Sequence, residues 1–517
     1  MRRVLQANIR GPRTAGRNSP AGHRWISWRK GPHPLVAESE PRKLKIVQSL
    51  VFYPRGGSAQ VVRYLSRALI DLGHQVHLAT GSLSDGDPEH EASRFYGDIP
   101  LTMVDYTEAW RGFKEGRNPI SPEWDAPFHP SYEDKAGVPD RAFYKVNSDE
   151  YAALRRSWEA LFQDIKRRFQ PDLIHLHHLN HMHLAAAEVY RELPRASQLH
   201  GTEIKMLENL ANLEEEKLEE APFRSLWRGI MTEAAQSVKH FFAISPDVRQ
   251  RGMTEFGLED RDLTVIPNGV DISLFKPRGW TDTKKLDFLR QILLEQPRGW
   301  DESGVAGSVG YSESDLKRFG TASGGLKPLL MFVGRFLDFK RVPLLIEAVA
   351  DVNARFEMGD EWPPFNLLVW GGMPGEWEGR HPYTVARELG LTNVFFTGWL
   401  PHAILSKGLN LADVFVAPSY YEPFGQVFLE AMASGMPVIA TRSGGPTSFV
   451  LDTGPNANGW FAEVDDVQSL AETLYSALED GPERSRRGAN ALELVRKEYS
   501  WAGIARRYVA AYRQLIQ

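Results

Sequence analysis

The sequence predicts an α/β chain built from two doubly wound, parallel-sheet domains. Three observations carry that prediction. First, Leu411–Pro446, written LADVFVAPSYYEPFGQVFLEAMASGMPVIATRSGGP, reads as strand, loop, helix, strand. Val414 to Ala417 is a short apolar run stopped by Pro418, Gln426 to Ser434 has a helical pattern, and Pro437 to Thr441 is apolar again after the breaker Gly435. Such a unit requires a parallel sheet with a right-handed crossover. Second, the same alternation opens at Leu44 and again at Pro328. Third, 517 residues exceed what one hydrophobic core usually covers, so two or more domains are expected.

Composition narrows the classes of function. A hydrophobic share of 42% suffices for globular cores, and a net charge of -5 argues against a nucleic-acid partner. The absence of cysteine removes disulfides, thiolate metal sites and a cysteine nucleophile, and fits a cytoplasmic protein. No apolar run approaches the ~18 residues of a membrane span, which leaves peripheral docking open. Residues 1–43 are rich in Arg, Pro and Gly, carry only Glu38 and Glu40 as acids, and read as a disordered basic extension. They lack the apolar core of a secretory signal, while an Arg-rich transit peptide stays open.

In chain order, Leu44 to Val51 is the first strand, followed by Phe52-Tyr-Pro-Arg-Gly-Gly57 and a helix with Val61, Leu65, Ala68, Leu69 and Leu72 on one face. Gly73 ends that helix and His77 to Thr80 begins the next strand. Gly56 and Gly57 are either a tight turn or a place where backbone approaches a ligand. Asp85-Gly86-Asp87 has a metal-binding look, but it sits in a polar loop and reads as a solvated turn. Residues 105–149, rich in Trp, Pro and charge without a period, read as an insertion. Tyr151 to Phe169 is helical and Pro171 to His177 a strand. His178, His181 and His183 follow with no carboxylate at a familiar metal spacing, so they read as packing or pocket lining, and no metal site is assigned. Phe241 to Ser245 and Leu263 to Asp271 are strand-like. Residues 276–327 are Gly-rich, charged and irregular, a second insertion with room for flexibility. Pro328 to Arg335 enters a new strand, and Phe336 to Lys340 leads to a helix bearing Leu344, Leu345, Ala348 and Val349. Arg335 and Lys340 flank a strand-to-helix loop, as surface charges or as cations facing an anion at the strand's carboxyl edge. Leu367 to Trp370 and Val394 to Pro401 are further strands with their turns.

In the stretch that opened the reading, Glu422 lies in the loop beyond a strand, where ligands of such sheets bind. Gly425 lets backbone approach a ligand, and a helix starting there aims free N–H groups and its positive dipole end at an anion such as a phosphate. Glu430 follows a turn or so later. Carboxylates beside such a site suit sugar hydroxyls; the alternative is a helix cap at Glu422 and a solvated charge at Glu430.

The flanks E-P-F-G-Q-V-F-L-E-A-M-A-S-G-M-P-V-I-A-T resemble the donor-site signature of retaining GT-B glycosyltransferases of family 4, the sucrose-synthase and mannosyltransferase-like group. The resemblance implies that Glu422 contacts hydroxyls of the transferred sugar, that Glu430 binds the nucleotide ribose, and that the helix start at Phe424, Gly425, Gln426 and Val427 faces the diphosphate. The G-R-x4-K pattern at Arg335 and Lys340 resembles the family's diphosphate clamp. Gly56-Gly57 is similar to the family's first glycine-rich loop, which faces the interdomain cleft. Gln198-Leu-His-Gly-Thr-Glu203 resembles its His-Gly-Thr-Asp segment, which puts His200 near the transferred sugar, with Glu203 standing where the family has aspartate. Glu498 to Leu515 resembles the terminal helix that crosses back to the N-terminal domain. The implied layout is an acceptor-binding domain over 44–272, a donor domain over 273–496 and a terminal helix over 497–517. The implied chemistry is retaining transfer of a hexose-type sugar from a UDP- or GDP-type donor to a sugar, small-molecule or lipid-linked acceptor, with no cofactor and no divalent metal. A nucleotide-sugar epimerase or hydrolase, or a silent sugar-nucleotide-binding protein, shares the same signature.

Overall fold

Seven parallel strands make the first sheet. They are β1 (Lys45–Leu50), β2 (Gln75–Ser82), β3 (Leu101–Asp105), β6 (Leu173–His177), β7 (Arg195–Leu199), β8 (His240–Ala243) and β9 (Leu263–Val265), in the order β3-β2-β1-β6-β7-β8-β9; two-residue strands β4 (Pro130–Ser131) and β5 (Arg141–Ala142) pair apart from it. The second sheet has six, β10 (Leu329–Gly334), β11 (Asn366–Gly371), β12 (Val394–Gly398), β13 (Val414–Ala417), β14 (Val438–Thr441) and β15 (Gly459–Ala462), in the order β12-β11-β10-β13-β14-β15. The computed structural model describes residues 42–117, 126–132, 140–356 and 364–517. The reading of residues 1–41 as a basic extension lies outside the described residues, as do 118–125 and 133–139 of the first insertion.

Both sheets reverse their strand order beside the first strand, between β1 and β6 and between β10 and β13. Loops leaving the two strands of such a pair part in opposite directions and open a crevice at their carboxyl ends. The strands are apolar throughout because both faces are covered: Leu330, Met331 and Phe332 of β10, Leu367 and Leu368 of β11 and Val414 to Val416 of β13 are all buried. The helix Gly56–Asp71 puts Val61, Val62, Leu65, Ala68 and Leu69 on one buried face, and Gly73 at φ +85° turns the chain back toward β2.

Three segments differ from the sequence reading. The helix expected from Tyr151 starts at Ser148, because Asn147 accepts the Asp149 and Glu150 N–H groups while Glu150 reaches back to the Asn147 N–H. A capping box is polar and carries no hydrophobic period to read. Residues 105–149 include the last residue of β3, the helix Thr107–Lys114 and buried Phe128, His129 and Phe143, so the described part of the insertion contributes to the core.

The tract 276–327 is an ordered edge of the second sheet. The helix Asp282–Arg290 runs on as a π-helical turn over Gln291–Glu295, burying Leu289, Ile292 and Leu293. Trp300 is fully buried, its indole N–H donating to Gly372 O at 3.1 Å and its ring stacked on Phe336 at 5.3 Å. The Tyr311 hydroxyl accepts the Phe396 N–H at 2.7 Å, and a Cβ on Gly398 would lie 2.0 Å from Arg298 O. The segment therefore covers the edge strand β12, a position that an unpaired strand needs filled. Its few anchors are spaced too irregularly to show a period.

The last helix, Trp501–Ile516, buries Trp501, Ile504, Ala505, Tyr508, Val509 and Tyr512 in one cluster with Leu44, Ile46, Val61, Leu65 and Leu69 of the first lobe. Trp501 stacks on Tyr64 with ring centroids 6.0 Å apart. No described helix is long and apolar enough to cross a membrane.

Candidate active site

The loops that leave β10 and β13 bring Lys340 and Glu422 together as an ion pair, with side-chain exposures of 17% and 16%. Lys340 also stands 5.1 Å over the Phe339 ring, and Lys205 of the other lobe stands 4.3 Å over the same ring. Arg335 is exposed at the start of the same loop. The pair is thus half-buried at the switch point, where a partial loss of water strengthens its field without abolishing access.

Glycines set the shape of the Glu422 loop. A Cβ on Gly444, at φ +62°, would lie 2.2 Å from Glu422 O, and the Gly445 N–H donates to that same carbonyl at 2.7 Å. Gly425, at φ +91°, is the N-cap of the helix Gln426–Ala433, and neither a capping side chain nor a first-turn acid satisfies that end. The helix start therefore keeps donors and positive potential for an anion. Of the residues placed there from sequence, Phe424 sends its ring into the core against Phe449 at 5.8 Å, and Val427 packs on the same core. Gln426 spends its side-chain amide on Gly269 O at 2.7 Å, in the segment joining the lobes. What these three offer a ligand is backbone, not side chain.

Glu430 is buried and meets His402 Nε2 at 3.1 Å. Burial opposes a charge on His402, but the hydrogen bond and charge of Glu430 prevail and hold its pKa above the ordinary imidazole value. His402 packs edge-on against Phe275 at 4.9 Å, which fixes the ring that fixes the carboxylate.

Across the cleft, the loop after β1 exposes Gly56, at φ +68°, and Gly57, and a Cβ on either would meet nothing within 4 Å. Arg55 anchors that loop by donating to Tyr53 Oη at 2.9 Å, Asp140 Oδ2 at 2.7 Å and Ser131 Oγ at 2.9 Å. His200 follows β7. Its backbone N–H donates to Glu203 Oε1 at 2.9 Å, and its ring stacks on His178 at 4.3 Å. Glu203 is fully buried and also meets His178 Nδ1 at 3.2 Å, so the longer acid closes the turn that presents His200.

The imidazoles near β6 are engaged by protein: His175 with Tyr512, His177 with Gln48 and His183 with Ser197, at 2.7 to 2.9 Å. His181 lies buried beside Tyr151 at 5.7 Å. Burial alone drives the pKa of His175 and of His181 down to about 3, which keeps both neutral. Asp85 and Asp87 form a turn, with Asp85 Oδ1 accepting the Asp87 N–H at 3.1 Å and Oδ2 meeting His90 Nδ1 at 2.9 Å. Among the described residues no three His, Asp or Glu side chains come together as a metal site.

The structure adds residues that sequence reasoning missed. Tyr421 donates to Asp247 Oδ2 at 2.7 Å under the Arg251 guanidinium, 4.4 Å over its ring, and Ser245 Oγ donates to Pro423 O at 2.9 Å. Glu422 is thus gripped on both sides by the opposite lobe. Gly201 abuts Pro423 as well, its notional Cβ 3.0 Å from Pro423 Cβ, which puts the His200 turn next to the Glu422 loop. Among the residues that shape this loop, only Gly444-Gly445 carried a sequence signal, a glycine pair soon after an apolar run.

Two family models match the chain in tandem: Glycosyltransferase Family 4 over residues 55–274 and Glycosyl transferases group 1 over residues 313–494. The D-inositol 3-phosphate glycosyltransferase of Corynebacterium efficiens is 34% identical over 186 residues, 36% of this chain and 42% of that protein. The chain spans about two fifths of the length of the curated relatives it matches first. Among solved structures, sucrose-phosphate synthase from Thermosynechococcus elongatus superimposes with a TM-score of 0.60 at 20% identity, over 92% of this chain and 99% of that one. Anabaena HepE in complex with UDP and glucose does so with a TM-score of 0.58 at 16% identity, over 91% and 100%.

Proposed function

The chain belongs to glycosyltransferase family 4, on the GT-B fold, and from that premise we propose that it moves a hexose-type sugar from a nucleotide diphosphate sugar to an acceptor hydroxyl. The observation that carries the reading is the Lys340–Glu422 pair beside the uncapped start of the helix Gln426–Ala433. It offers one cation and one acceptor carboxylate to a molecule that holds hydroxyls at one end and a diphosphate at the other.

In this reading the diphosphate lies against the helix start with Arg335 and Lys340, Glu430 takes the ribose hydroxyls, and Glu422 takes hydroxyls of the sugar. The bond from the anomeric carbon to the diphosphate oxygen breaks, and negative charge grows on that oxygen, where the cations and helix dipole act most strongly. The acceptor oxygen bonds to the anomeric carbon from the same face and its proton passes to the leaving diphosphate. Retention follows from that geometry. The positive groups of the protein do the work of a divalent ion, so transfer needs no metal. Binding of UDP by a structural neighbour favours a UDP-type donor, with GDP as the next candidate. The acceptor is a sugar, a small molecule or a lipid-linked sugar.

Incubation of the protein with labelled donor and an acceptor pool tests the proposal. A larger labelled glycoside with unchanged anomeric coupling, formed equally in EDTA, is the expected product. A free or isomeric sugar would mean hydrolysis or epimerisation, and nucleotide binding without any product would mean a silent binding protein. An inverted anomer, or loss of activity in EDTA restored by manganese, would refute retention or metal independence.

A further inference from the structure

Behind His200 runs a chain of side chains that no step of the proposed reaction uses. The Tyr512 hydroxyl lies 2.7 Å from His175 Nδ1 and accepts from Gln48 Nε2 at 3.2 Å. Gln48 Oε1 faces His177 Nε2 at 2.8 Å, and His177 Nδ1 faces His200 Nε2 at 3.0 Å. Gln48, His175, His177 and Tyr512 are all wholly buried.

The order of donors follows from the ends. Tyr512 accepts from Gln48, so its own proton goes to His175 Nδ1. The Gln48 carbonyl can only accept, so His177 carries its proton on Nε2, and a neutral His177 is then left with a bare Nδ1. His200 must supply the proton for that bond from its Nε2. Burial, with the neighbouring imidazoles, drives the pKa of both His177 and His200 well below the ordinary value, so neither ring carries a second proton near neutrality. Nδ1 of His200 is therefore unprotonated. It makes no hydrogen bond to protein and is not among the buried side-chain atoms that lack a partner, so it is the ring nitrogen that solvent reaches.

We propose that Tyr512, Gln48 and His177 are positioning residues that lock the His200 tautomer, so that Nδ1 faces the cleft as a fixed acceptor for a hydroxyl of the transferred sugar. The proposal rests on the glycosyltransferase reading above. Its new content is that the terminal helix, through Tyr512, sets the chemistry of a residue at the carboxyl ends of β6 and β7. A free imidazole exchanges tautomers and can present either a donor or an acceptor. A wired one presents one, which favours a hydroxyl that can donate over a group that can only accept.

The test uses the whole 517-residue chain, two variants that cut the relay and their double, a control on the same helix and a marker variant of His200. Tyr512→Phe and Gln48→Leu each cut the chain, whereas Tyr508→Phe removes a similar buried hydroxyl from the same helix, one that donates to Gln198 Oε1 at 2.5 Å and does not reach His200. Long-range nitrogen–proton spectra of the histidine rings, with the His200 signal identified by its loss in His200→Asn, should show a single tautomer in the wild type and in Tyr508→Phe, and a mixture in the two cut variants. With labelled donor, kcat should fall about tenfold in each cut variant, the rate equivalent of one neutral hydrogen bond, while affinity for UDP stays unchanged. The double variant should lose no more than either single, because the links act in series. An unchanged His200 tautomer in Tyr512→Phe, or an equal loss of kcat in Tyr508→Phe, would overturn the proposal. If the wild type transfers no sugar, the functional reading fails while the spectra still decide the relay.

Discussion

Glu422 and Glu430 share one loop and helix, yet their surroundings assign them different work. Glu422 is half-exposed and paired with Lys340, free to exchange that partner for sugar hydroxyls and phosphate, so Glu422→Gln should cut turnover strongly and leave UDP affinity nearly intact. Glu430 is buried against His402, and Glu430→Ala should weaken UDP binding by about 1.5 to 3 kcal/mol, the loss of charged hydrogen bonds. Calorimetry with UDP, GDP and ADP on both variants separates the roles, and equal losses of affinity would refute them. Arg335 has no such partner among the described residues, so Arg335→Ala should act on the departing charge, lowering kcat at saturating donor by about thirtyfold for about 2 kcal/mol. A change confined to KM would limit it to ground-state holding. His402 has a pKa raised above 6.5 in the folded protein, so its pairing with Glu430 stabilises the fold fully below that ordinary value and ceases to do so as pH rises through the raised one. Thermal melts of wild type and His402→Gln should therefore converge as the pH is taken upward from about 6 to 9. A gap that widened instead would reverse the sign.

At the scale of elements, the helix Gln426–Ala433 and the tract 276–327 each shape one of the two loops that meet at the site. The helix presents its start to the crevice because Gly425 and the Gly444-Gly445 turn hold the chain where side chains would collide. The tract braces the other loop, since Trp300 stacks on Phe336, the residue after Arg335, and bonds to Gly372 O. Trp300→Ala should cost about 3 to 5 kcal/mol in urea unfolding, through the lost ring and the cavity it leaves. It should also lower kcat, because the loop bearing Arg335 and Lys340 loses its support. Full activity at that reduced stability would mean that the tract serves the fold alone.

For the molecule as a whole, the Glu422 loop belongs to one lobe and is held by the other. Tyr421 bonds to Asp247 and Pro423 to Ser245, so the first lobe holds the residues on either side of Glu422. Tyr421→Phe removes a hydrogen bond to a carboxylate, about 1.5 to 3 kcal/mol, and should lower kcat; the proposed reading puts the nucleotide on the second lobe, so UDP affinity should be kept. Asp247→Ala, which removes the acceptor, should have a similar effect, and the double variant should lose less than the product of the two, as expected for one shared bond. Independent, multiplicative losses would dissolve the coupling.

The sequence by itself determined the two βαβ lobes, the loops at the carboxyl ends of their strands, and the placement of Glu422, Arg335 and Lys340 in those loops and of Glu430 on the helix that follows. Apolar periods, glycine breaks and contiguous motifs are local properties, and they survive in one dimension. The side-chain roles of Phe424 and Gln426, the order within 276–327 and the partners of His200 were not legible in that way. Gln48 and Tyr512 stand 464 positions apart, and Tyr421 and Asp247 174 apart. Neither pair has a period or a motif to join it. Only the packing of the terminal helix and of one lobe on the other brings these groups within bonding distance, because burial leaves each polar atom no partner but the one the fold supplies.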